Sequence, residues 1–149
     1  MLVTTHQYPG NRGRISLFGQ IHEILLREYA WFRTSPEAEP PLPNLLAARF
    51  WHDISQGGFS QLLFNLQGEY LHETEDMLIA AQASCAHAFF VRAIRICSSN
   101  LDAYQRFLAS DYLTNNDVKH ELQRLSIEYF ALGIDFVDEI AAYVDPHCD

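Results

Sequence analysis

Phe50-Trp51-His52-Asp53-Ile54-Ser55-Gln56-Gly57-Gly58-Phe59-Ser60-Gln61-Leu62-Leu63-Phe64-Asn65-Leu66-Gln67-Gly68 reads as two apolar segments that meet at a double glycine. In the first, Phe50, Trp51 and Ile54 fall at i, i+1 and i+4; in the second, Phe59, Leu62 and Leu63 fall at i, i+3 and i+4. Each segment therefore presents one helical stripe. Gly57 and Gly58 supply the backbone freedom to stop one helix, turn and start the next. The stretch predicts a helical elbow that builds a core, with Asn65 and Gly68 suited to ending its second arm because both residue types tolerate positive φ.

Outward from the elbow, helical spacing continues in both directions. Upstream, Phe18, Ile21, Leu25, Tyr29 and Phe32 predict a helix over 15–33. It follows an arm at 1–14 that has Pro9, Gly10 and Gly13 but no periodic pattern. Four prolines between Pro36 and Pro43 make a stiff connector. A helix capped by Asn44 then reaches Gln56, and a short one spans 59–66. Downstream, helices are expected from Glu69 to about Gln82, Ser84 to Ser98, Asp102 to Leu108 with Asp102 as its cap, Asp117 to Leu132, and Asp135 to Asp145. No alternating run bounded by turn residues suggests a strand. The expectation is an all-α fold, one compact domain over 15–149 with about seven helices.

Composition narrows the function classes. A chain of 149 residues that is 48% apolar and 13% aromatic has the means to bury a core of its own. Nineteen acidic against ten basic side chains give a net charge of −9. Residues 1–33 carry Arg12, Arg14, Arg27 and Arg33 against Glu23 and Glu28, so the acidity belongs to the rest of the chain. Such a balance disfavours nucleic acid and anionic membranes as direct partners, since both are polyanions that reward Lys and Arg. Cys85, Cys97 and Cys148 form no C-x-x-C pair, and with no leader pattern at 1–10 the chain reads as reduced and cytoplasmic. The most apolar stretch, 77–97, is broken by Gln82, His87, Arg92 and Arg95 and is too polar to span a bilayer.

Enzymatic constellations are sparse. Glu69-Tyr70-Leu71-His72 is an E-x-x-H, the spacing that points a carboxylate and an imidazole the same way in di-iron bundles, and Asp117-Val118-Lys119-His120 offers an analogous pair. The bridging carboxylates that such a site requires have no evident buried candidates, so no metal ligand and no cofactor is assigned. His22-Glu23 and His72-Glu73 lack the second histidine of H-E-x-x-H, and Ser60 lacks a G-x-S-x-G setting. His52 and His87 read as structural. No catalytic residue is assigned.

The acidic residues are more informative. Glu69, Glu73, Glu75 and Asp76 cluster near one helix, and Asp135, Asp138, Glu139 and Asp145 follow near the C-terminus with no basic residue among them. A run of this kind is commonly a solvated face. Its functional reading is a partner-binding surface whose carboxylates stand where DNA phosphates would and attract a basic, DNA-binding protein.

The central stretch also resembles the signature of a bacterial all-helical family filed as a domain of unknown function, whose best-known member is an acidic DNA-mimic protein. Trp51, Gly57-Gly58-Phe59, Gln61, Phe64-Asn65 and Gly68 carry the resemblance, followed by the Ala-rich pair around Ala80-Ala81 and Ala86 to Ala93, and by Phe136, Ile140 and Tyr143. It covers roughly residues 15 to 145. Leu63, where many relatives have an aromatic, the arm 1–14 and the tract Pro36 to Pro43 depart from it. The resemblance implies a compact helical fold and, for the characterised member, dimerisation and binding to DNA-binding proteins such as a regulator or a histone-like protein. A small acidic helical domain also suits an immunity or antitoxin-like protein that neutralises a toxin; a metal-dependent enzyme at the E-x-x-H comes third.

Overall fold

A computed structural model describes residues 43–134 and 136–139 of the chain. The arm 1–14, the helix expected over 15–33, the proline connector up to residue 42, Asp135, and residues 140–149 with Asp145 lie outside the described residues. Five helices run in order: α1 Pro43–Leu66, α2 Leu71–Ala80, α3 Ser84–Ser99, α4 Leu101–Ala109 and α5 Asp117–Ala131. Residues 136–139 are again helical, and no strand occurs among the described residues. The fold is all-α, as the spacing predicts.

The elbow is real, and Gly58 makes it. Helix α1 is one run in two arms that meet at Gly58, which has φ 74° and ψ −160°. That corner of backbone space is open to glycine alone. The bend leaves the amide of Phe59 without an intrahelical acceptor. It is satisfied from outside, donating to Ser126 Oγ of α5 at 2.7 Å, while the Ser126 hydroxyl itself donates to Leu122 O at 2.9 Å. A residue 67 positions away thus caps the second arm.

Both arms deliver their stripes to one core. Phe50 and Phe59 are fully buried and meet edge to face at 6.2 Å between ring centres; Phe50 also touches Phe90 at 6.3 Å and Phe136 at 4.7 Å. Phe59 continues the chain of rings to Tyr129 at 5.5 Å. Burial of each such phenylalanine stabilises the fold by about 1.5–3 kcal/mol. Leu62, Leu63, Leu78 and Leu122 fill the space between, so the helices that flank the elbow share a single interior. Trp51 and Phe64 pack against its edge, Phe64 lying 5.4 Å from Phe107 and 5.2 Å from Tyr112.

Several element ends differ from the expectation, each for a physical reason. Helix α1 begins at Pro43, a residue suited to the first helical position, so Asn44 lies inside the helix instead of capping it. Asn65 does not end the second arm; the positive φ values fall on Gln67 at 51° and Gly68 at 80°. Glu69 is not in α2, because Tyr70 takes a left-handed conformation and lends its carbonyl to the amide and the hydroxyl of Thr74. The cap of α4 is Asn100, whose side chain accepts from the Ala103 amide at 3.2 Å, and not Asp102, which sits in the first turn and pairs with Arg106. Asn116 caps α5 in the same way, through the Lys119 amide.

The cap assignment makes a prediction. Asn100→Ala should cost about 1 kcal/mol in urea unfolding, and Asp102→Ala should cost less, because only the former strands a helix amide. Equal losses, or the reverse order, would return the cap to Asp102.

Candidate functional site

The structure sorts the carboxylates by what they are already doing. Three are committed to the fold. Asp53 is 1% exposed and accepts from Arg49 Nε at 3.0 Å and Asn65 Nδ2 at 3.2 Å. Asp111 closes an exposed turn by accepting from Thr114 Oγ1 and from the amides of Leu113 and Thr114; these bonds, the side-chain one foremost, hold its carboxyl below the ordinary range. Glu139, read from the sequence as partner-binding, turns its carboxylate onto the first turn of α3, where it accepts from the Cys85 amide at 2.9 Å and the Ala86 amide at 3.2 Å. A carboxylate on a helix N-terminus meets both the orphan amides and the positive end of the dipole. Burial, and after it the charge of Glu139, pushes the neighbouring Cys85 thiol up.

The other acids read as partner-binding, so far as they are among the described residues, lie on or just ahead of α2 and next to Glu139. Glu75 leans from α2 across to α3, its carboxylate 3.0 Å from His87 Nε2. Glu75 and Glu139, more than sixty residues apart in the chain, therefore converge on the same turn of α3. Asp76 lies 3.3 Å from His72 on the exposed face of α2, and Glu73, three residues before Asp76, shares that face. Glu69 is exposed just ahead of the helix, and Asp138 is exposed beside Glu139. No Lys or Arg occurs between Arg49 and Arg92, so α2 carries its acids without a cation of its own. Asp102 and Glu128, by contrast, pair with Arg106 at 3.2 Å and Arg92 at 2.8 Å. The described residues hold twelve Asp and Glu against six Lys and Arg, a net of −6.

The positions considered for chemistry do not assemble. Glu69 and His72 are separated by the left-handed Tyr70 and do not share a helical turn. Asp117 and His120 both face solvent at the start of α5. No group of three His, Cys, Asp or Glu placed to hold a metal ion occurs among the described residues. Ser60 is fully buried, its hydroxyl 2.8 Å from the Tyr112 hydroxyl and 3.3 Å from Gly57 O. Cys97 is buried, which pushes its thiol up to about 12 and keeps it protonated at neutral pH.

What the sequence reading missed is the polar cluster inside the elbow. Arg49 bridges the two arms, with Nε on Asp53 and Nη2 on Asn65 O at 3.0 Å, and Asn65 in turn donates to Asp53 and accepts from Gln61 at 3.2 Å. The i, i+4 spacing of Arg49 and Asp53 was the available signal. Asn65 and Gln61, which carry part of the resemblance, complete this cluster. Gly57 leaves room for it, since a Cβ there would lie 2.8 Å from that of Gln61.

With the elbow, its polar cluster and the ordered set of helices in place, the comparison with known families is decisive. Residues 42–147 match the family model described as DMP19-like protein. The chain belongs to the DMP19-like family. No curated protein and no solved structure matches it. The match opens at the foot of α1, so the DMP19-like unit begins later than the resemblance drawn from residue 15, and the helix expected over 15–33 stands outside it. Within the DMP19-like unit, among the described residues, no helix is long and apolar enough to cross a membrane.

Proposed function

We propose that this DMP19-like chain is a non-enzymatic, acidic interaction protein that binds a basic DNA-binding protein in the manner of a DNA mimic. One observation carries the reading: α2 presents Glu73 and Asp76 on an exposed face free of Lys and Arg, and the first turn of α3 anchors both α2, through Glu75, and the turn that carries the exposed Asp138, through Glu139. Carboxylates held on a rigid helix attract a basic groove at long range without the ordering cost that a flexible acidic tail would carry. The shared family supports the same reading.

The test uses a small, basic, histone-like protein as the probe, and follows binding by calorimetry across a salt series. Affinity should fall steeply as salt rises, and duplex DNA should compete. The pair Glu73→Lys and Asp76→Lys should weaken binding by about tenfold or more, as expected when like charges are brought together across an interface. These side chains are exposed, so the fold should be untouched. Binding that is indifferent to salt and to both reversals would exclude the α2 face.

A further inference from the structure

Between the first arm of α1 and the end of α5 runs a groove of about 260 Å³. Trp51 and Ile54 line it from α1, Tyr129 and Phe130 from α5, and Ile134 and Phe136 from the residues beyond; no Asp, Glu, Lys or Arg lines it. Ile54, Tyr129 and Phe136 are buried, whereas Phe130 is 52% and Ile134 44% exposed and Trp51 is half-buried. A concave apolar surface with no ionised group of its own is built to be covered.

We infer that the groove seats the chain's own segment 15–33, packed as a helix antiparallel to the first arm of α1. The segment lies outside the described residues and outside the DMP19-like unit, so this contact is an addition that the chain makes to that unit. Its pattern matches the need. Phe18, Ile21, Leu25, Tyr29 and Phe32 predict one helical stripe, widened by Ile24, Leu26 and Trp31, and an apolar face so broad has to be buried against another element.

The tether selects the same occupant. Residues 34–42 join the segment to Pro43, and nine residues of proline-rich chain span about 28 Å. Trp51 and Ile54 stand only about 12 and 17 Å along α1 from Pro43. A helix folded back with Arg33 level with Pro43 brings Leu25 opposite Trp51 and Ile21 opposite Ile54. On so short a leash the segment meets the groove at an effective concentration of millimolar order, ahead of an untethered competitor.

Charge agrees. Residues 1–33 carry Arg12, Arg14, Arg27 and Arg33 against Glu23 and Glu28, a net of +2, while the described residues carry −6, twelve acids against six bases. The N-terminal part is therefore drawn to the body, whereas a second whole chain, at −9, is repelled by it.

Hydrogen exchange on the full chain, read by mass spectrometry, tests the inference. Amides within 21–32 should exchange about a hundredfold or more slowly than in an unfolded chain, and equally so on dilution. Leu25→Asp in the segment and Phe130→Asp in the groove should each return them to the unfolded rate while the amides of α3 stay protected. Benzoylphenylalanine in place of Phe130 identifies the occupant: irradiation should join it to residues 15–33 of the same chain. Should Phe130→Asp disturb α3, Leu25→Asp and the photoproduct decide. Amides 21–32 that exchange as an unfolded chain does overturn the inference, as does protection that survives both substitutions or fades on dilution. A photoproduct joined to a second copy or to residues 140–149 overturns it equally, by giving the groove another occupant.

Discussion

Gly58→Ala is expected to be the most damaging single-methyl change in the described part of the chain. Two penalties coincide. The backbone at φ 74°, ψ −160° is hostile to any residue with a Cβ, at a cost of about 1–3 kcal/mol. The added methyl would also lie 2.3 Å from Ser126 Oγ and 2.6 Å from Ser126 Cβ, an approach that real Cβ atoms do not make. Relief requires Ser126 to move, and Ser126 is the acceptor for the buried Phe59 amide; a buried donor left unmet costs a further 1–3 kcal/mol or so. Together the two come to about 2–6 kcal/mol, a large share of the roughly 5–15 kcal/mol that holds a domain folded. Urea unfolding should show a midpoint far below that of the unaltered protein, or no folded baseline. The single variant Ser126→Gly and the double variant Gly58→Ala, Ser126→Gly separate the causes. Ser126→Gly alone loses the acceptor of the Phe59 amide; adding Gly58→Ala to it brings back the strained corner without the collision, so this second step should cost only about 1–3 kcal/mol. A second step that costs nothing would show that the backbone corner carries no strain, and one as costly as Gly58→Ala in the unaltered chain would show that Ser126 is not the obstacle.

The elbow shows what a sequence of this kind discloses. The break at Gly57-Gly58 and the stripes on either side are local facts, governed by residues within a turn or two, and they predicted the two arms of α1 correctly. The run of helices and the core residues Phe50, Phe59, Leu62 and Leu63 followed from the same periodicity. What local spacing cannot reveal is a partner supplied from a distance. Ser126 caps an arm 67 residues upstream, and Glu139 caps α3 from more than fifty residues downstream. In the sequence, one was an ordinary serine in a helix and the other an ordinary surface acid. Asn65 was misjudged for the same reason: its amide is consumed by Asp53, twelve residues away on the other arm, and the turn is made by Gln67 and Gly68 instead. The acidic residues divide along this line too. Their number was plain from composition, but which of them are spent on the fold depends on geometry, and Glu139 proves to be among those spent.

That division gives the second large effect. Asp53→Ala should destabilise the chain by about 3 kcal/mol or more, the range found when one member of a buried ion pair is removed and the other is left behind. Arg49 is only 17% exposed and would lose the carboxylate that faces its Nε, while the Asn65 amide would lose the same acceptor. Asp53→Asn, which keeps the shape and one acceptor oxygen but not the charge, should cost less, about 1–2 kcal/mol. The cluster acts as a unit across the kink, so its members should not add. Arg49→Met combined with Asp53→Leu should be more stable than either single change alone, since an apolar pair leaves no buried charge unmatched. Strict additivity in that cycle, read from urea midpoints, would show that the two side chains do not depend on each other. The same variants distinguish architecture from binding. Glu73 and Asp76 lie on the exposed side of α2, away from the elbow's interior. At temperatures where Asp53→Asn remains folded, its affinity for a basic probe should match that of the unaltered chain, whereas Glu73→Lys should lose affinity without losing stability. If Asp53→Asn instead lost affinity while fully folded, the elbow and not the α2 face would be the surface that the partner reads.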